Sequence, residues 1–121
     1  MKIYLKRLNA TITTGIDAPQ SNWKNETDTG EENCSRCGSW IKHWEFVTGQ
    51  RRPSKCSVFG CTKPVTDGTH IFNYKRQVQG HWIAPTCHEC NVSIKTPFTL
   101  NKNVVLVNAE CEYSCARVSD D

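Results

Sequence analysis

The residues best suited to chemistry are eight cysteines in four close pairs and a histidine between two of them. The pairs are Cys34-x2-Cys37, Cys56-x4-Cys61, Cys87-x2-Cys90 and Cys111-x3-Cys115. A CxxC turn aims two thiolates at one tetrahedral ion, and two such turns complete a four-thiolate site. An even cysteine count also fits a disulfide framework, and eight cysteines allow 105 pairings. The tight spacing and the lack of a secretory leader favour Zn2+ over disulfides. The expected ligands of one ion are Cys56, Cys61, Cys87 and Cys90. Cys34, Cys37, Cys111 and Cys115 then form a second site by elimination. Cys115 could be spare, and His43 could replace a ligand of that site or lie on a helix surface. His70 ends the stretch CSVFGCTKPVTDGTH, between the two inner pairs.

These residues need elements to hold them. Ser39 is an N-cap candidate; Trp40, Ile41, Trp44 and Val47 recur at helical spacing, and Gly49 is a stop. The two tryptophans are expected to plug the core. Residues 68–74, with Thr69, Ile71, Phe72 and Tyr74, read as a strand, and residues 81–84 as its partner. A helix is expected from Cys90 to Lys95, ended by Thr96-Pro97. Residues 104–107, VVLV, form the best strand signal in the chain. The first eight residues, MKIYLKRL, suggest a short edge strand. Residues 9–33, rich in Thr, Asn, Asp and Glu, read as a polar connector. Two parts follow: 1–33, a strand and partly flexible segment, and 34–121, a metal-binding domain.

The formal charge of +3 conceals an uneven distribution. Cys34 to Val107 carries ten Lys/Arg against three Asp/Glu, a formal +7. Four thiolates on one dication change the total by −2, so the whole chain weakly favours nucleic acid only through its basic middle. Arg51, Arg52, Lys55, Lys75 and Arg76 are the expected contacts, or a solvated surface. No apolar run is long enough for a membrane span. The N-terminus lacks a signal peptide's apolar stretch, so a soluble, intracellular protein is expected.

The order knuckle, hairpin, cysteine pair, helix carries a resemblance. CSVFGCTKPVTDGTHIF followed by HWIAPTCHECNVSIK resembles the zinc-clamped HNH endonucleases with their ββα-metal core. The likeness spans residues 56–95. With the His-Trp helix before the knuckle, the chain is also similar to small uncharacterised bacterial and phage proteins. The resemblance implies an α+β fold: a small zinc-stabilised, treble-clef or HNH-like ββα core with an extra N-terminal helix and flanking strands. It places His70 as the general base that activates water, and Asn91 as a ligand of a catalytic Mg2+ or Mn2+.

Two positions depart from that pattern. Thr69 stands where the family has an Asp or His ligand, and Trp82 where it has the Asn that orients the base. A neutral hydroxyl ligates a hard cation poorly. Asp67, two residues before Thr69 and on the same side of an extended strand, could supply the lost ligand. His81 or Gln79 could replace the orienting group. The expectation is therefore a catalytically degenerate module that binds nucleic acid or a protein partner. A phage-encoded inhibitor of a host system fits that description. The alternative is a metal-dependent nuclease cleaving DNA or RNA.

Overall fold

Two residues delimit the helix that the tryptophans occupy. The computed structural model describes residues 10–26 and 38–110. Helix α1 spans Trp40–Thr48. The Ser39 hydroxyl accepts from the Lys42 N–H, satisfying one of the donors a helix start leaves open. At the other end Gly49 takes φ 70°, a left-handed conformation that glycine adopts without steric cost, and its N–H donates to the Glu45 carbonyl.

The sheet has five strands: β1 (Thr11–Thr13), β2 (Trp23–Asn25), β3 (Asp67–Asn73), β4 (His81–Thr86) and β5 (Val105–Asn108). Their order is β1-β5-β4-β3-β2, and every pairing is antiparallel. The central hairpin pairs Asp67 with Thr86 through Phe72 with His81, with no bulge to change the side-chain alternation. A short helix, α2 (His88–Ser93), follows β4 directly. Among the described residues, no helix is long and apolar enough to cross a membrane.

Alternation along the strands gives the sheet two different faces. Gly68, His70, Phe72, Ile83 and Val107 share the face covered by α1, where Trp40, Ile41, Trp44, Val65, Ile83 and Val107 form one buried cluster. The helix lies directly on Gly68: a Cβ there would come 2.5 Å from the Trp40 carbonyl carbon. The opposite face carries Ile71, Trp82, Ala84 and Leu106 beneath Trp23, Val58, Leu100 and two of the cysteines.

Among the described residues, the segment expected to be a polar connector contributes both outer strands. Trp23 is fully buried, and its indole N–H donates to the Pro19 carbonyl. Polar neighbours hide this because each strand is only three residues long, too short for a period to show. Residues 1–8 and 27–33, including the expected first strand, lie outside the described residues. Helix α2 begins at His88, earlier than expected, because the Cys87 thiol itself caps it. Its regular turns end at Ser93, ahead of Pro97, with Ile94 already extended. His43 is not a helix-surface residue. It is fully buried between α1 and the sheet, and its Nε2–H donates to the Asn108 carbonyl at 2.9 Å. Burial holds its pKa below the ordinary histidine range.

Candidate metal centre and its surroundings

The first cysteine pair sits on a closed loop. Cys56 N–H donates to the Lys63 carbonyl, and Lys55 bridges Pro64, so the chain doubles back on itself. The reversal uses Gly60 at φ 87°. The Ser57 N–H to the Pro85 carbonyl and the Phe59 N–H to the Thr99 carbonyl fix this knuckle to β4 and to the chain before β5. The second pair lies where β4 turns into α2. There the Cys87 thiol accepts from the Cys90 N–H, the local geometry that makes a CxxC turn a ligand pair.

The sulfurs of Cys56, Cys61, Cys87 and Cys90 all lie within 4.8 Å of one another. Cys61 and Cys87 are 3.8 Å apart. Metal–sulfur bonds of about 2.3 Å in a tetrahedron put adjacent sulfurs roughly 3.8 Å apart, so the spacing fits one four-coordinate ion. No disulfide joins the four. Burial pushes the Cys56 and Cys90 thiols above the ordinary range. Burial opposes ionisation of Cys87 as well, but the Cys90 N–H and neighbouring thiols bring its pKa down. The crowded thiols thus resist ionising together, and a bound cation is what relieves that resistance. A soft, closed donor set of this type suits zinc or iron and leaves no position for substrate. Cys34, Cys37, Cys111 and Cys115 lie outside the described residues.

A single side chain ties this centre to the distant edge strand. The Asn25 amide on β2 donates to the carbonyls of Cys90, Asn91 and Ile94, at 3.0, 3.2 and 3.1 Å. These are carbonyls at the end of α2, which a helix of this length leaves open. Sequence reasoning missed Asn25 because its partner lies some 65 residues away and Asn25 belongs to no local motif.

The expected catalytic residues divide between the two faces. Asp67 accepts from Asn91 Nδ2 at 2.8 Å and from His88 Nδ1 at 2.8 Å through one carboxylate oxygen. Burial of Asp67 opposes its charge, yet the bonds from Asn91, His88 and Thr66 hold its pKa below the usual carboxylate range. His70 belongs to the alternate set of β3 and faces α1. Its ring stands edge-on to Trp40 at 5.6 Å and to His81 at 5.2 Å. His81 Nδ1 meets Glu26 at 2.8 Å. Thr69, on the Asp67 side, is buried and shares a hydrogen bond with Thr86. Trp82 is buried in the core, with its indole N–H on the Gln79 carbonyl. His88 was not singled out from the sequence. Its position inside CHEC marks it only as a spacer residue until Asp67 is brought across.

The expected contact residues divide as well. Arg52 is engaged by Glu45 through its Nε at 2.9 Å, its Nη2 at 3.2 Å and its own backbone N–H. Lys55 lies beside the knuckle, whereas Lys75 and Arg76 lie in the β3–β4 turn at the other end of the hairpin. Seven residues of strand separate these sites by roughly 20 Å.

No family model matches the chain, and no curated protein or solved structure matches it.

Proposed function

We propose that this chain is a zinc-stabilised module of HNH-like, treble-clef character that acts by binding nucleic acid without cleaving it. The observation carrying this reading is the distribution of charge around a closed thiol cluster. Among the described residues Glu45 pairs with Arg52, Glu89 with Lys63, Glu26 with His81 and Asp67 with His88. Arg51, Lys55, Lys75, Arg76, Lys95 and Lys102 meet no carboxylate of the described residues in an ion pair. Cations held on a rigid scaffold without a described carboxylate partner offer the local contacts that phosphate binding requires. The placement of His70 and Asn91 on opposite faces supports binding over hydrolysis, since a base and its metal ligand must reach the same phosphate.

Zinc fits the four-cysteine cluster, and its role there is structural. The proposal extends to a second ion on Cys34, Cys37, Cys111 and Cys115. The His43–Asn108 bond lays the start of α1, just after Cys37, beside the end of β5, just before Cys111. Native mass spectrometry is expected to give two zinc ions per chain; a single ion would restrict the role to the inner pairs.

The test of function is fluorescence anisotropy of the zinc-loaded chain with labelled single-stranded and duplex oligonucleotides across a salt series. Binding that weakens steeply with salt, without cleavage in Mg2+ or Mn2+, is expected. Absence of binding at low salt overturns the reading and leaves a protein partner as the remaining role.

One observation favours metal-dependent hydrolysis as a second reading. Asp67, Asn91 and His88 converge, as a site with a replaced carboxylate ligand needs, and His88 rather than His70 is the adjacent imidazole. Cleavage that Asp67→Asn abolishes and His70→Ala leaves intact would establish it.

A further inference from the structure

Helix α1 covers only part of its face of the sheet. It lies over Gly68, Ile83 and Val107, and Trp40 reaches His70. One row further along, Lys24, Phe72 and His81 stand side by side across β2, β3 and β4. This row lies beyond the apolar cluster under the helix. The His81 side chain is 54% exposed, and Phe72 is half-buried against it with ring centroids 6.1 Å apart. Tyr74, two residues after Phe72, follows at the strand end and is 41% exposed. Aromatic rings thus run from the buried Trp40 out through His70, His81 and Phe72 towards Tyr74.

The cations sit at the exposed end of that run. Lys75 holds its ammonium 5.9 Å from the Tyr74 ring centroid, and Arg76 is exposed beside it. Lys24 flanks Phe72. Among the described residues, Glu26 is the acid that meets this row, and it is engaged by His81.

The turn that presents these groups is held rigidly. The Tyr74 N–H donates to the Asn22 carbonyl and the Arg76 N–H to the Asn73 carbonyl. The Gln77 N–H donates to Asn73 Oδ1, Asn73 Nδ2 to the Ser21 carbonyl, and Asn22 Nδ2 to Gln77 Oε1. Asn22 and Arg76 take left-handed turn conformations at φ 72° and 58°.

We infer that this row and turn form a stacking platform for single-stranded nucleic acid. Bases lie on Tyr74 and the exposed edge of Phe72 and His81, and phosphates meet Lys24, Lys75 and Arg76. Flat rings beside cations suit unpaired bases, whose faces are available, and a duplex hides those faces. The inference rests on the nucleic-acid reading above and assigns that binding to the hairpin end rather than to the knuckle end.

The experiment uses the zinc-loaded chain with labelled oligo(dT) and oligo(U) of about twelve nucleotides, and a duplex of equal length. Tyr74→Ala is expected to weaken single-strand binding about tenfold. The double variant Lys75→Gln/Arg76→Gln is expected to lower the salt slope by about 1.4. Arg51→Gln/Lys55→Gln tests the knuckle end as the alternative location, and is expected to lower single-strand affinity and salt slope less than the hairpin double variant does. Zinc content and circular dichroism confirm that each variant is folded. Comparison of the two oligomers shows whether the strand is DNA or RNA. Duplex bound as tightly as single strand, or a loss confined to the Arg51/Lys55 variant, overturns the platform and leaves nucleic-acid binding standing. No binding of any oligonucleotide overturns both.

Discussion

The two faces of the sheet are covered by different means. On one, a helix of nine residues lies on Gly68 with tryptophan and aliphatic side chains beneath it, and apolar burial holds it. On the other, α2 buries none of its side chains completely. Its position depends on Cys87 and Cys90, on the Asn25 amide and on Asp67. A short helix has little propensity to form alone, so it needs either a packed face or fixed anchors. The molecule uses one solution on each side of the same strands. The first helix is held by its own apolar face, whereas the second depends on the cysteine cluster and polar anchors.

The largest effect should come from removing the ion proposed for the four-cysteine cluster. Chelation, or Cys87→Ser, is expected to deprotect the amides of residues 56–61 and 88–93 in hydrogen exchange, while those of 44–48 keep more protection. Structural zinc contributes on the order of 10 kcal/mol in small modules, so loss of order on the knuckle face should be complete. If α1 loses protection to the same extent, the two faces fold as one unit and the contrast fails.

Next in size is Trp23→Ala, which removes a fully buried side chain from the metal face. A loss of about 3–5 kcal/mol in denaturant unfolding is expected. Gly68→Ala is the counterpart on the helix face. The added methyl meets backbone atoms of Trp40 and Ile41, which have little room to give way. About 1–3 kcal/mol should be lost, with zinc affinity unchanged. Asn25→Ala leaves the α2 carbonyls without their donor and should cost about 1–2 kcal/mol. Here zinc affinity should fall with stability, because Cys90 lies in that helix and Cys87 caps it.

The smallest effect is one of pH. The Asp67 carboxyl is held below its ordinary pKa. Its stabilising contribution is therefore fully present above the usual carboxylate range, near about pH 4, and is lost as pH falls through the lower folded value. Asp67→Asn should flatten that part of the stability profile by roughly 1 kcal/mol or less, read from urea midpoints between about pH 6 and 3.

The sequence by itself carried the elements whose signals are local. Ser39, the spacing of Trp40, Ile41 and Trp44, and Gly49 delimit α1, because caps and period act within a few residues. The cysteine spacing marked the ligand pairs for the same reason, and the apolar run before Asn108 marked β5. The coarse α+β class followed from these. Asp67 was legible as a group on the Thr69 side, since strand alternation is a local rule.

What only the tertiary structure decided are relations between distant segments. Trp23 and Asn25 sit among polar residues, and nothing nearby shows that one enters the core and the other caps a helix some 65 residues later. His43 has a polar residue's pattern and a core residue's position, because the Asn108 carbonyl is there to receive its proton. His70 and Asp67, three residues apart, fall on opposite faces by the same local alternation, but which neighbours α1 and α2 bring to each face was decided only by packing. Covalent spacing fixes what a residue can donate or accept. The partner it meets is set by strand pairing and packing, whose free energy is shared by the whole chain rather than by any short stretch of it.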